Sequence, residues 1–404
     1  MNPIAEELNQ IIETSNPQIL EMLSTVGNNL FFPKGILSQS AEAKEKAHKL
    51  NATIGIATEK GRTMRFDSVM ASIADILPEA AVTYAPSLGI PSLRKRWHDE
   101  LDEKNPSLAG KQISLPVVTN GITHGISILG DVWIDPGDVI VVPDMMWGNY
   151  NLILNVRRGA ELRHYPLFAE SGGFNLAAFE KCVAAEAETH DKVIVLLNFP
   201  HNPTGYAITE TEGDRIAEIL TRIAKSGTNV VAVCDDAYFG LFYEAEVQKE
   251  SLFAKICDRH PRLLAMKLDG ATKENYVWGL RVGFITYGFG ADDNPLPAYE
   301  ALEKKTAGCI RGNISNASHL SQSIVLKSME SENYQAEKAE KCDILRKRAE
   351  KVKAVLSDSK YADAWDVYPF NAGYFMCIRL KTVDAETLRC HILEIERASC
   401  RARV

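Results

Sequence analysis

The sequence predicts an α/β protein: a large domain whose mostly parallel sheet is sandwiched by helices, followed by a smaller α+β domain. Three observations carry this. Between about residues 116 and 290, short β-branched runs alternate with longer helical patterns, as strands and crossover helices do. The runs are continuously apolar, which suits strands covered on both faces. After about residue 300 the alternation stops, and a long amphipathic stretch with a charged outer face (331–356) takes over.

The runs that read as strands are LPVVT (115–119), DVIVVP (138–143), KVIVLLN (192–198), NVVAVCDD (229–236), RLLAMKL (262–268) and VGFITY (282–287). Residues 121–133 and 210–227 read as helices between them. In the second domain, YPFNAGYFMCIRL (368–380) reads as strands and 385–396 as a helix. A chain of 404 residues is too long for one ordinary core. The expected division is an N-terminal segment (1–60) packing with the small domain, a large domain (61–305), and a small C-terminal domain (306–404) that looks incomplete.

Composition narrows the function classes. Hydrophobic residues make up 46% and charged residues 24%, with a net charge of −8. Nothing offers the basic face that nucleic acid requires. No stretch approaches the roughly 20 apolar residues needed to cross a bilayer. The first twenty residues lack the basic start and apolar core of a secretion signal, so a cytoplasmic protein without a membrane partner is expected. The eight cysteines are scattered, with no CxxC pair and no histidine at metal-ligand spacing. They read as free thiols, and no metal is expected.

Ligands of open α/β sheets bind beyond the carboxyl ends of the strands, so chemistry is sought there. After 115–119 come Asn120, Gly121 and Ile122, opening a helix whose free N–H groups could hold a phosphate; a plain strand-to-helix turn is the simpler reading. After 138–143 comes Trp147, able to stack on a flat ring or merely to fill space. After 192–198 comes the proline-fixed loop FPHNPTG, which could aim Asn202 at a ligand. After 229–234 come Asp235, Asp236 and Tyr238. Adjacent acids point in different directions, so at most one serves a ligand. After 262–268 come Asp269, Gly270 and, among small and apolar residues, Lys273, with Arg281 eight positions on. A partly buried lysine has a lowered pKa and becomes a nucleophile for imine formation, whereas most lone lysines are solvated. Arg281 could clamp a phosphate with two hydrogen bonds.

Taken singly these features are weak. Together, in this order, they resemble one family from about residue 50 to about 380: the fold-type-I, pyridoxal 5'-phosphate (PLP)-dependent aminotransferases of class I, closest to the aspartate and aromatic branch. HNPTG (201–205) and the Lys273–Arg281 spacing are the most specific marks. The resemblance implies that Lys273 carries PLP and moves the substrate proton, and that Asp235 faces the pyridine nitrogen. It implies that Tyr238 and Asn202 bond the ring hydroxyl, that Trp147 stacks on the ring, and that Asn120, Gly121, Ile122 and Arg281 cradle the phosphate. It further implies a homodimer. Tyr84 would reach the neighbouring subunit's phosphate, Gly55 would approach the substrate with its backbone, and Arg311 would reach across to a side-chain carboxylate. For Arg311 a solvated surface role is almost as good a reading.

Three departures stand out. Gly270 occupies a position usually held by serine, and Ile122 one where a hydroxyl is common, so phosphate binding leans on Arg281 and backbone N–H groups. The third is the C-terminal end, Arg397 to Val404, with three arginines in eight residues and no strand pattern. It stands where the family places the arginine that grips the substrate α-carboxylate. The expected activity is amino transfer from a dicarboxylic or aromatic amino acid to a 2-oxo acid by a ping-pong mechanism. The alternatives are a decarboxylase or lyase on the same fold, and a PLP-binding protein without turnover, which the altered end would favour.

Overall fold

Seven strands build the central sheet: β1 (Val117–Thr119), β2 (Val139–Pro143), β3 (Glu161–Tyr165), β4 (Lys192–Asn198), β5 (Asn229–Asp235), β6 (Leu263–Gly270) and β7 (Gly283–Phe289). The protein is described from a computed structural model covering residues 1–32, 36–53, 55–291 and 293–399. The strand order is β1-β7-β6-β5-β4-β2-β3. Neighbours run parallel except at β7, which is antiparallel to β1 and to β6. Every residue of β2 is buried, as is all of β4 and β5 beyond the first residue of each. This two-sided burial is what makes the runs continuously apolar.

Register brings the chemistry-bearing ends together. Asn198 at the end of β4 pairs with Asp235 at the end of β5, which pairs with Leu268 of β6. Gly283 of β7 pairs with Gly270 on one side and with Thr119 on the other. Thus five strand ends open on one edge of the sheet.

Helices cover both faces. Helix α1 (Pro91–Lys104) buries Leu93, Trp97 and Leu101, and Trp97 stacks on Phe284 of β7 at 4.0 Å. Helix α2 (Ile122–Trp133) follows β1 and packs on β6 and β7. Helix α3 (Glu210–Lys225) starts with a reciprocal capping box between Thr209 and Glu212, which satisfies two otherwise orphaned N–H groups. Its buried stripe includes Ile216, Leu220 and Ile223.

The fold differs from expectation in two places. The edge strand β3 (ELRHY) was not anticipated, because four of its five residues are exposed or half-buried and it lacks an apolar run. Most of 368–377 is not strand. Only Trp365–Val367 and Ile378–Leu380 pair, antiparallel, and the residues between them dock on the large sheet's loops instead. Helix α4 (Leu296–Asn313) runs unbroken through the expected boundary near 305. Helix α5 (Tyr334–Leu356) is the long amphipathic element.

A segment near residue 50 meets one near residue 397. Leu50–Asn51 pairs in parallel with Arg397–Ala398, and Ala43, Leu393 and Ala398 form a small apolar nucleus. Arg389 bridges Glu42 at 2.7 Å and Glu386 at 2.7 Å. Arg401 and Arg403 of the arginine-rich end lie outside the described residues. Among the described residues, no helix is long and apolar enough to cross a membrane, no group of acids, histidines and cysteines is arranged to hold a metal, and the seven cysteines are free thiols.

Candidate active site

One cleft collects the strand ends. Ile122, Trp147, Asn202, Asp235, Tyr238, Lys273 and Arg281 line it, joined by Thr123, Tyr150, Asn198, Ala237 and Thr272.

At its floor Asp235 is 3% exposed. Its Oδ2 accepts a short hydrogen bond from the Tyr150 hydroxyl, and its Oδ1 accepts from the Ala237 N–H at 3.1 Å. Burial raises the Asp235 carboxyl above the ordinary value, opposed by the Tyr150 bond and the Lys273 charge. Asp236 turns the other way. It bonds Lys267, itself 1% exposed, and takes the Ser251 hydroxyl at 2.5 Å. Lys267 also lies 3.5 Å from Asp269, whose carboxylate accepts the Trp97 indole N–H at 3.2 Å. The second acid therefore belongs to a buried structural cluster beneath the site.

Lys273 sits in the four-residue helix Ala271–Glu274, directly after β6. Its Nζ lies 4.8 Å from the centre of the Tyr238 ring. Burial pushes its pKa below that of an ordinary lysine, Asp235 opposes that shift, and the Arg281 charge adds to it. Its amine is thus more easily deprotonated than a solvated one. Next to it, Glu274 is held by Lys104 at 2.7 Å and Lys338 at 2.8 Å.

Arg281 adopts a left-handed backbone (φ 54°) and places its guanidinium against Gly121, the residue before α2. A Cβ on Gly121 would stand 2.6 Å from Arg281 Nη2, and Gly121 itself has φ 77°. Glycine is required there on both counts. A cation beside a helix start is a suitable donor set for a phosphate. Gly270 is also constrained, since a Cβ would stand 2.6 Å from the Val282 carbonyl oxygen. The serine usual at this position is excluded by the close approach of β6 and β7.

The loop bearing Asn202 is fixed from within. The Asn202 N–H donates to Asn198 Oδ1 at 2.8 Å, and the Asn198 amide donates to the Asp235 carbonyl at 2.7 Å. His201 is buried, with Nδ1 2.9 Å from the Thr204 hydroxyl, and burial lowers its pKa to about 3.

Five sequence-named residues are not among those lining this cleft; of these, Gly121 lies against the lining residue Arg281, and the other four stand apart. Asn120 is exposed, and its N–H donates to His124 Nδ1 at 3.1 Å. Gly55 is exposed, Tyr84 is 88% exposed, and Arg311 donates to the Ser315 hydroxyl at 2.6 Å on the surface. Conversely, Tyr150, Asn198, Thr123 and Thr272 were not singled out from sequence. Asn198 had a signal, a polar residue closing an apolar strand; Tyr150 had none, because its partner is 85 residues away.

The PLP-dependent transferase architecture and this cleft define the class, and the comparisons agree. The family described as aminotransferase class I and II matches residues 47–400, and the chain belongs to it. Relatives include an aspartate aminotransferase of Sulfurisphaera tokodaii, 25% identical over 210 residues, covering 52% of this chain and 48% of the relative. A histidinol-phosphate aminotransferase of Staphylococcus carnosus is 30% identical over 207 residues, covering 50% of each. The matches thus span about half the length of these curated relatives. Among solved structures, an aminotransferase from Anaerococcus prevotii superposes with TM-score 0.82 at 21% identity, covering 95% of this chain and 93% of the other. Thermus thermophilus aspartate aminotransferase with maleate gives 0.73 at 18%, covering 93% and 90%. At these identities the likeness concerns the fold.

Proposed function

We propose that this enzyme transfers an amino group from a dicarboxylic or aromatic amino acid to a 2-oxo acid, in two half-reactions at one PLP site. The supporting observation is the placement of an amine of lowered pKa, Lys273, and a buried anchored carboxylate, Asp235, in a single cleft with Arg281 at the start of α2. The residues present fit PLP. Arg281 and the backbone around Gly121 would hold the phosphate, Asp235 the ring nitrogen, Tyr238 and Asn202 the ring hydroxyl, and Trp147 a ring face. When bound, PLP supplies an electron-withdrawing ring conjugated to the substrate Cα.

The chain's own residues do the rest. Asp235, kept in place by Tyr150, would balance a cationic ring nitrogen and favour its protonated form. Lys273, whose amine is depressed in pKa, would hold the cofactor, and its free amine would serve as the general base that moves the substrate Cα proton. Trp147 and the small-domain segment around Phe375 exclude water.

We place the division between a large domain near 61–305 and a smaller unit formed by the N-terminal segment and the remaining residues. The pairing of Leu50–Asn51 with Arg397–Ala398 supports it. The working form is a cytoplasmic homodimer, in which the partner's Tyr84 and Arg311 complete the site. The exposure of Tyr84 beside exposed Val82 and Leu77 favours a covered surface there.

The test is visible absorbance. Protein reconstituted with PLP should be yellow, bleach with glutamate or aspartate, and recover with 2-oxoglutarate. Lys273→Ala should abolish the response. Release of carbon dioxide or ammonia in place of a 2-oxo acid would replace amino transfer with decarboxylation or elimination. Colour without any response would mean binding without turnover.

A further inference from the structure

Tyr374 lies in the C-terminal half, 101 residues beyond Lys273. Its hydroxyl donates to the Lys273 carbonyl oxygen at 2.9 Å. Its ring meets the Tyr238 ring edge-on, with centroids 5.5 Å apart and planes at 82°. Tyr238 is the ring over which Lys273 Nζ sits. One side chain therefore touches the backbone of the amine-bearing residue and the aromatic face that its amine rests on.

The support behind Tyr374 is rigid. Asn371 and Ala372 donate their N–H groups to the Gly205 carbonyl at 3.0 and 2.9 Å, and Gly373 donates to the Leu241 carbonyl at 2.9 Å. The Tyr243 hydroxyl closes on the Gly373 carbonyl at 2.5 Å. By contrast, the helix holding Lys273 is only four residues long, and its own bond to the Lys273 carbonyl, from the Tyr276 N–H, is 3.3 Å. A helix of four residues, with a single turn of backbone bonds, takes its position from what packs on it. Burial raises the Tyr374 phenol well above the ordinary value, so it remains a donor at any working pH.

We infer that Tyr374 is a positioning residue: through its hydroxyl and its ring it fixes where the Lys273 amine stands over Tyr238, and ties that position to the C-terminal segment. This deepens the reading of Lys273 given above and rests on it. Without the clamp the Lys273 turn loosens and water reaches the amine, which favours its charged form. The charged and titratable groups facing that amine are Asp235, Arg281 and the Tyr238 phenol, and none is altered by replacing Tyr374.

The test uses cofactor-free full-length protein. Acylation of Lys273 by acetic anhydride, read on its peptide by mass spectrometry across pH, gives the midpoint of the amine. Tyr374→Phe should raise that midpoint by roughly half a pH unit, about threefold less free amine at a fixed pH below it. In PLP-loaded protein, kcat should fall with KM little changed. A folded Tyr374→Phe variant with the parent's midpoint overturns the inference, as does a parent midpoint at the ordinary lysine value. A parent that shows the shift yet transfers no amino group supports the clamp and sinks the proposed reaction. Should Tyr374→Phe not fold, amide exchange in the parent decides: residues 272–276 must exchange more slowly than the exposed Gly279, and equal exchange overturns the clamp.

Discussion

The Tyr150 hydroxyl and Asp235 Oδ2 share a short hydrogen bond at the floor of the cleft, where both residues are buried. A neutral phenol stabilises the carboxylate without adding a charge that would compete with a cationic ring nitrogen. The phenol's own pKa is driven well upward by burial and by the nearby Asp235 charge, so the proton stays on tyrosine.

Tyr150→Phe should therefore raise the Asp235 pKa further. Hydrogen bonds to charged groups contribute about 1.5–3 kcal/mol, so kcat/KM should fall roughly tenfold or more. Steady-state kinetics and PLP affinity would check this. Unchanged values would mean that the Ala237 N–H alone secures the carboxylate.

Gly270→Ser restores the residue usual at its position but should harm this protein. The added Cβ would stand 2.6 Å from the Val282 carbonyl and 2.8 Å from Gly283 Cα. Overpacking of this kind costs about 1–3 kcal/mol. Urea denaturation should show the loss, and PLP affinity should fall rather than rise.

Lys267→Met should be among the most destabilising substitutions in the sheet, because Asp236 and Asp269 would face each other buried without their cation. Breaking one partner of a buried ion cluster costs about 3–5 kcal/mol. Adding Asp236→Asn should recover part of that loss in thermal melts. Full additivity of the two effects would contradict the coupling.

His201 gives a pH signature. Its pKa in the fold is about 3, against an ordinary value near 6.5. Above about pH 6.5 neither the folded nor the unfolded state carries the proton. Below it the unfolded chain binds a proton that the fold excludes, so this residue's contribution declines by ~1.4 kcal/mol per pH unit until about pH 3. His201→Asn should flatten the stability profile between pH 6.5 and 4 by about one proton's slope. A slope equal to the parent's would place a protonated imidazole inside the fold.

The sheet was legible because burial on both faces writes itself locally as an apolar run, as in KVIVLLN and NVVAVCD. The same logic hid β3, whose edge position leaves four of its five residues exposed or only partly buried. The cleft was legible where a residue follows a strand within a distinctive local sequence, as Asn202 and Lys273 do. Tyr150 and Tyr374 act through partners 85 and 101 residues away, and no local pattern encodes such pairings. YPFNAGYFMC reads as strand from its aromatic residues, but tertiary docking on the Gly205 turn overrides that propensity.

That docking also sets an order of events during synthesis. Asn371 pairs with Ala207 through both side-chain amide atoms, at 2.7 and 2.9 Å, across 164 residues, and a Cβ on Gly205 would lie 2.0 Å from the Phe375 carbonyl. At ~5–20 residues per second, a ribosome needs roughly 10–30 s to cover that interval. Throughout it the loop carrying Asn202 exists with the Gly205 carbonyl uncovered. The nascent large domain can assemble its sheet, but the loop carrying Asn202 matures only once residue 371 has emerged, and a chain cut before that residue would leave the turn bare.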